Sequence, residues 1–172
     1  MTISLDTLRK YVGVGDLFIE TGTHDGDAVA WALESGAAEV LSCEPDDVKY
    51  SESSARFLGD HRVMITKAES QDWLPIALSA CQGRRPVFWL DAHGPASSPL
   101  LAELDAILKS GVQPKAVLVD DVRNLKLFGT TRLHVEGWLR TIGTCIISYI
   151  DGAPVAVGGA KMIGDICVGV YQ

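Results

Sequence analysis

Four short apolar runs in this chain each close on an acidic residue, and segments with helical spacing lie between them. The runs are Leu17-Phe18-Ile19-Glu20, Val40-Leu41-Ser42-Cys43-Glu44, Val87-Phe88-Trp89-Leu90-Asp91 and Ala116-Val117-Leu118-Val119-Asp120. A fifth run, Arg62 to Ile65, has the same strand character. Continuous apolar runs of this length suit strands buried on both faces. Between them, Ala28 to Leu33 and Trp73 to Ala80 read as helices, and Asp46-Asp47 as a helix start, where carboxylates meet the positive end of the dipole. Leu100, Leu101, Leu104, Ile107 and Leu108 recur at helical spacing before Gly111, and Leu133 to Arg140 predicts a last helix. Strand–helix alternation calls for right-handed crossovers and a parallel sheet covered on both faces. Thr144 to Ile150 and Ile166 to Tyr171 have no clear helix between them, only the turn-rich Asp151-Gly152-Ala153-Pro154, and predict an antiparallel pair at one edge. The expectation is an α/β chain with a doubly wound, mostly parallel, seven-stranded sheet.

Such sheets bind ligands beyond the carboxyl ends of their strands, where the strand order reverses. One acid at a strand end merely reaches solvent. Glu20, Glu44, Asp91 and Asp120 in equivalent places define a shared site.

Composition narrows the rest. The 172 residues suit one domain, 1–172, with 47% hydrophobic residues for its core. No apolar run approaches the roughly 18–20 residues that cross a bilayer, and no basic stretch followed by an apolar one marks a secretory leader. Cys43, Cys81, Cys145 and Cys167 form no C-x-x-C pair and read as buried, reduced thiols. A cytoplasmic location without membrane contact is expected. A net charge of −7 predicts that nucleic acid is not a partner, since that binding asks for a basic face.

Gly22-Thr23-His24-Asp25-Gly26 follows the first run directly. Glycines there allow a sharp turn and close approach to a ligand, and the helix that follows offers free amides. Glu44 lies eighteen residues beyond Gly26, where an acid accepts both hydroxyls of a ribose. The loop reads G-x-x-x-G rather than the dinucleotide G-x-G-x-x-G, with Glu20 before it placed to receive an ammonium group.

These residues resemble a class I S-adenosylmethionine-dependent methyltransferase, whose first motif is a strand, an acid and a glycine loop. The resemblance implies the Rossmann-like methyltransferase fold. It implies cofactor contacts from Glu20, Gly22, Thr23, His24, Gly26 and Glu44, from Glu69 or Ser70 at the adenine, and from Asp91 near the methyl group. His24 departs from the pattern, which commonly has glycine there, and a side chain would narrow the methionine pocket.

Asp91-Ala92-His93 and Asp120-Asp121 are closer to the divalent-metal O-methyltransferases of the catechol type. That similarity implies Mg²⁺ on Asp91, Asp120 and Asp121, since a hard cation relieves carboxylate repulsion. The catechol enzymes carry a lysine base where this chain has Gly94; His93 is the nearest replacement, with Asp91 beside it as the other catalytic candidate. Arg123 and Asn124 follow the acid pair and face either an acceptor or solvent. The function so implied is methyl transfer to an oxygen of a small-molecule acceptor. The short N-terminal stretch leaves the site open or completed by a second copy in a homodimer. Two rival classes stand beside it: a non-catalytic cofactor-binding module and a nicotinamide-dependent oxidoreductase.

Overall fold

The computed structural model describes residues 3–81, 83–93, 98–152 and 162–172. A short helix α1 (Leu5–Leu8) leads into β1 (Leu17–Thr21), α2 (Asp27–Glu34), β2 (Glu39–Cys43), α3 (Asp47–Arg56), β3 (Val63–Thr66) and α4 (Ser70–Ser79). Then follow β4 (Val87–Leu90), α5 (Leu100–Ser110), β5 (Ala116–Val119), α6 (Arg132–Ile142), β6 (Cys145–Gly152) and β7 (Met162–Tyr171). The seven strands form one sheet in the order β3-β2-β1-β4-β5-β7-β6. The first five are mutually parallel, and β7 runs antiparallel to both β5 and β6. The closing pair is therefore antiparallel as expected, with β7 inserted between β5 and the edge strand β6. This is the Rossmann-like methyltransferase fold.

Alternating residues of each central strand feed opposite cores. Ile19, Phe88, Leu90, Val117 and Val119 pack with Trp73, Leu74 and Leu78 of α4, Leu100, Leu104 and Ile107 of α5, and Leu139 of α6. Phe18, Val87, Trp89, Ala116 and Leu118 pack with Leu8 of α1 and Ala28, Val29 and Ala32 of α2. Burial on both faces is why these strands read as unbroken apolar runs. Asp46 caps α3 by accepting from Val48 and Lys49, both at 2.9 Å, and Thr131 caps α6. All four cysteines are free thiols, three of them buried. No helix among the described residues is long and apolar enough to cross a membrane.

The strand order reverses between β1 and β4, whose carboxyl ends therefore diverge and open a cleft.

Candidate functional site

A cavity of about 710 Å³ lies at those ends, lined by Gly22, Glu44, Glu69, Ser70, Asp91 and His93 among others. Its volume falls within the roughly 300–1,000 Å³ of small-molecule sites. Of the residues expected at the site, His24 and Asp121 also line it.

The loop after β1 is built by positive φ. Gly22 stands at φ 84° and Gly26 at 78°, and a Cβ on Gly22 would meet the Asp91 carbonyl oxygen at 2.8 Å. His24 takes φ 49°, so its backbone follows the course a glycine would take while carrying a side chain. That ring is largely exposed and leans on Asp25 at 3.1 Å. Within the loop itself, backbone amides are engaged. Gly22 and Thr23 donate to the Cys43 carbonyl, Gly26 donates to Thr23, and His24 donates to Glu44 Oε2 at 2.7 Å. Asp46 N–H donates to Glu44 Oε1 at 3.0 Å. Each carboxylate oxygen can accept twice, so Glu44 retains one acceptor site per oxygen. It is the hinge between β2 and the loop, and a wall of the cavity.

Glu20 takes a different place from the one its position at the end of a run suggested. β1 continues to Thr21, so Glu20 is an interior strand residue paired with Ser42 and Trp89. It is fully buried and absent from the cavity wall. Ser42 Oγ donates to Glu20 Oε2 at 2.7 Å and lies 2.6 Å from Thr23 Oγ1, so Glu20, Ser42 and Thr23 brace the loop from below. Burial pushes the Glu20 carboxyl up to about 8, against the opposing pull of Ser42. Its other oxygen, Oε1, has no hydrogen-bond partner among the described residues.

At the other end of the cavity, Glu69 stands at the N-cap of α4 without a side-chain cap bond, and Ser70 and Gln71 open the helix. First-turn amides have no intrahelical partner. Amides so placed suit a group that carries hydrogen-bond acceptors.

Asp91 and His93 sit between these ends. Burial raises the Asp91 pKa well above its ordinary value, and the Asp120 carboxylate raises it further. The His93 ring stacks on Phe128 at 4.9 Å. Its Nε2 lies 3.3 Å from the Asp120 carbonyl and its Nδ1 lies 2.9 Å from Ser98 Oγ, which accepts from Leu100 N–H. A carbonyl only accepts, so the pattern assigns the proton to Nε2 and the lone pair to Nδ1. Burial lowers the His93 pKa, while Asp121 and Asp120 oppose it. Gly94, where the catechol enzymes have their lysine, lies outside the described residues.

The expected metal ligands regroup. Carboxylate oxygens of Asp120, Asp121 and Asp165 come within 4.8 Å of one another, and Asp91 stands outside this trio. Arg123 already provides the cation: it pairs with Asp121 at 2.5 Å and with the buried Asp165. Asp120 Oδ1 accepts from Asp121 N–H. With a guanidinium bridging two of the three carboxylates, the set does not fit a divalent ion, and no step is derived through one. Arg123 thus faces the acids rather than an acceptor.

Sequence reasoning missed Ser98, Glu103 and Asp165, and with Asp165 the pairing of Arg123 to Asp121 and Asp165. Glu103 had a signal: it interrupts the apolar stripe Leu100, Leu104, Ile107 on one face of α5. Asp165 had none, because β7 alone brings it to β5.

No protein-family model matches the chain, and no curated protein does. Solved structures share its fold. SMU.1697c of Streptococcus mutans, solved in complex with SAH, is 12% identical with a TM-score of 0.63, covering 98% of this chain and 95% of that one. An rRNA methylase of Streptococcus thermophilus is 11% identical, TM-score 0.59, covering 98% and 94%. The 23S rRNA methyltransferase ErmE is 13% identical, TM-score 0.60, covering 100% and 70%. The narrower similarity to divalent-metal O-methyltransferases is not carried by these likenesses. The two rRNA enzymes also overturn the expectation that nucleic acid is excluded as a partner. A net charge describes the whole chain, whereas binding depends on the charge of one surface.

Proposed function

We propose that this chain is an S-adenosylmethionine-dependent methyltransferase, acting as one cofactor-binding domain. The observation that carries the reading is Glu44. Its carboxylate is fixed by two backbone amides at the cavity wall, with one acceptor site left on each oxygen. That is the arrangement two vicinal hydroxyls require. The cavity chemistry fits the cofactor at both ends: Glu44 beside the loop for the ribose, and the first amides of α4 with Glu69 and Ser70 for the purine.

When bound, the cofactor supplies an electrophilic methyl group. The chain's residues orient and deprotonate. Glu44 and Gly22 fix the ribose end. His93, neutral through burial, is the base for an acceptor hydroxyl. Ser98 O–H occupies Nδ1, so the acceptor's proton passes to Ser98 Oγ while the Ser98 proton passes to Nδ1. The resulting imidazolium keeps Nε2–H on the Asp120 carbonyl and gains from the carboxylates of Asp120 and Asp121. Transfer to a hydroxyl oxygen of a small acceptor is the finer reading this base supports.

Calorimetry with S-adenosylmethionine, SAH and NAD tests it. Binding of the first two at micromolar concentration, without NAD binding, is expected. Preference for NAD defeats the reading in favour of an oxidoreductase. Binding without methyl transfer to any hydroxylated acceptor, or to RNA, defeats the enzyme assignment and leaves a binding module. Transfer to RNA would replace the small acceptor.

A further inference from the structure

We propose that Arg56 is a positioning residue for the cofactor: from α3 it latches the glycine loop by two hydrogen bonds that bracket Gly26. The inference rests on the reading of this cavity as a cofactor site.

α3 runs between two parts of the site. Its N-cap residue, Asp46, donates its N–H to Glu44 Oε1 at 3.0 Å, so the helix starts at the acid on the cavity wall. At the other end of the helix, about 15 Å away at 1.5 Å per residue, Arg56 reaches the loop after β1. Its Nη1 donates to the Asp25 carbonyl at 2.6 Å and to Asp27 Oδ1 at 2.7 Å. Asp25 and Asp27 stand on either side of Gly26, the N-cap of α2, which takes the left-handed φ of 78°. Earlier on α3, Lys49 Nζ donates to Asp25 Oδ1 at 2.7 Å, and Asp25 Oδ2 lies 3.1 Å from His24 Nδ1. Ser53 and Phe57 of the same helix region close on Gly26 itself, where a Cβ would meet Phe57 Cε2 at 2.7 Å.

The loop needs such a hold. Gly22, His24 and Gly26 all stand at positive φ. The glycines have a wide choice of other conformations, and His24 keeps its φ against its own Cβ. From below, Thr23 is braced by Ser42 and the His24 N–H by Glu44. Beyond His24 the hold comes from α3. An exposed ion pair alone contributes little to stability. The bond from Arg56 to the Asp25 carbonyl does something else: it fixes a peptide plane. Release of that plane frees the stretch from His24 to Gly26, and Gly22 and His24 line the cavity. Cofactor affinity then falls in proportion to the fraction of chains that hold the loop in its binding shape.

The test is calorimetry of the full chain with SAH on wild type, Arg56→Met, Arg56→Lys and Asp27→Asn, with urea melts and amide hydrogen exchange of the segment 22–27. Methionine keeps the length of the side chain and its contact with Phe57 but donates nothing. Arg56→Met should bind SAH about threefold to tenfold more weakly, the loss that follows when about a third to a tenth of the chains hold the binding shape. Its 22–27 amides should exchange faster than in wild type without ligand and regain wild-type protection with SAH. Arg56→Lys, which restores a charged donor, should bind within about twofold of wild type. Asp27→Asn keeps an acceptor without the charge and should fall between wild type and Arg56→Met. A folded Arg56→Met with wild-type SAH affinity overturns the inference alone. So does a loss that Arg56→Lys does not lessen, or a free Arg56→Met whose loop exchanges no faster than in wild type. Should Arg56→Met not fold, wild-type affinity and exchange in Asp27→Asn overturn the inference in its place. A wild type that binds no SAH overturns the cofactor reading and the inference with it.

Discussion

Glu44 Oε2 accepts the backbone N–H of His24 across 2.7 Å, tying the end of β2 to the turn after β1. The same carboxylate therefore shapes the loop and faces the cavity. Glu44→Ala should weaken SAH binding about tenfold to a hundredfold through lost charge-assisted hydrogen bonds. It should also lower stability by roughly 1–3 kcal/mol, since two amides lose their acceptor. Glu44→Gln still accepts at its amide oxygen and should lose less of both. Calorimetry and urea melts on the two variants check this; equal SAH affinity in wild type and Glu44→Ala would remove Glu44 from the binding site.

His24 carries a side chain at φ 49°, and that side chain points to solvent beside Asp25. His24 nevertheless also lines the cavity. His24→Gly should leave SAH affinity within about threefold and stability within about 1 kcal/mol, because relaxed strain offsets added chain entropy. A tenfold loss of affinity would make the imidazole itself a ligand contact.

Glu103 makes stability fall with pH. Its pKa rises from 4.5 in the unfolded chain to about 7 in the fold. Below 4.5 both states hold the proton and no penalty applies. Between 4.5 and about 7 only the native state holds it, so stability drops as pH rises, and the loss is complete above 7. Glu103→Gln should match wild type at pH 4 and exceed it by roughly 1–3 kcal/mol at pH 8. Urea unfolding across this range decides it; a constant difference between the two proteins would show that Glu103 titrates normally.

Arg123 is the counter-ion of Asp121 and of the buried Asp165. Arg123→Ala strands a carboxylate that is 1% exposed and should cost roughly 2–4 kcal/mol, somewhat less than a fully buried pair because Arg123 is partly open to solvent. The vacated position among three carboxylates should then take up a hard cation. Millimolar Mg²⁺ should raise the melting temperature of Arg123→Ala and leave that of wild type unchanged. A wild-type shift of the same size would restore the metal reading.

His93→Ala should lower methyl transfer by roughly 10²–10⁴-fold. SAH affinity should change little. Ser98→Ala should have a similar effect on turnover if the proton passes through its hydroxyl. In wild type, ¹⁵N spectra should show neutral His93 with its proton on Nε2 at pH 7. A proton on Nδ1 would reverse the direction of transfer and sink the relay.

The sequence by itself determined the architecture. Unbroken apolar runs at Leu17–Ile19, Val87–Leu90 and Ala116–Val119 leave a strand no polar face, so helices must cover both sides, and the run order dictates parallel crossovers. It also placed Gly22, Glu44, Ser70 and His93 at one end of the sheet, because strand ends and the turns after them are local properties. The tertiary structure decided what each acid does there. Glu20 and Glu44 end runs of the same kind, yet Glu20 is walled in by Ser42 and Trp89 as β1 continues to Thr21, while Glu44 is left at the cavity wall. Asp121 looked like half of a cation site until β7, antiparallel to β5, brought Asp165 and turned Arg123 onto both. Charge and burial at these positions arise from neighbours such as Ser42, Trp89 and Asp165, which are 22 to 69 residues away in the chain, and local spacing carries no information about such distances.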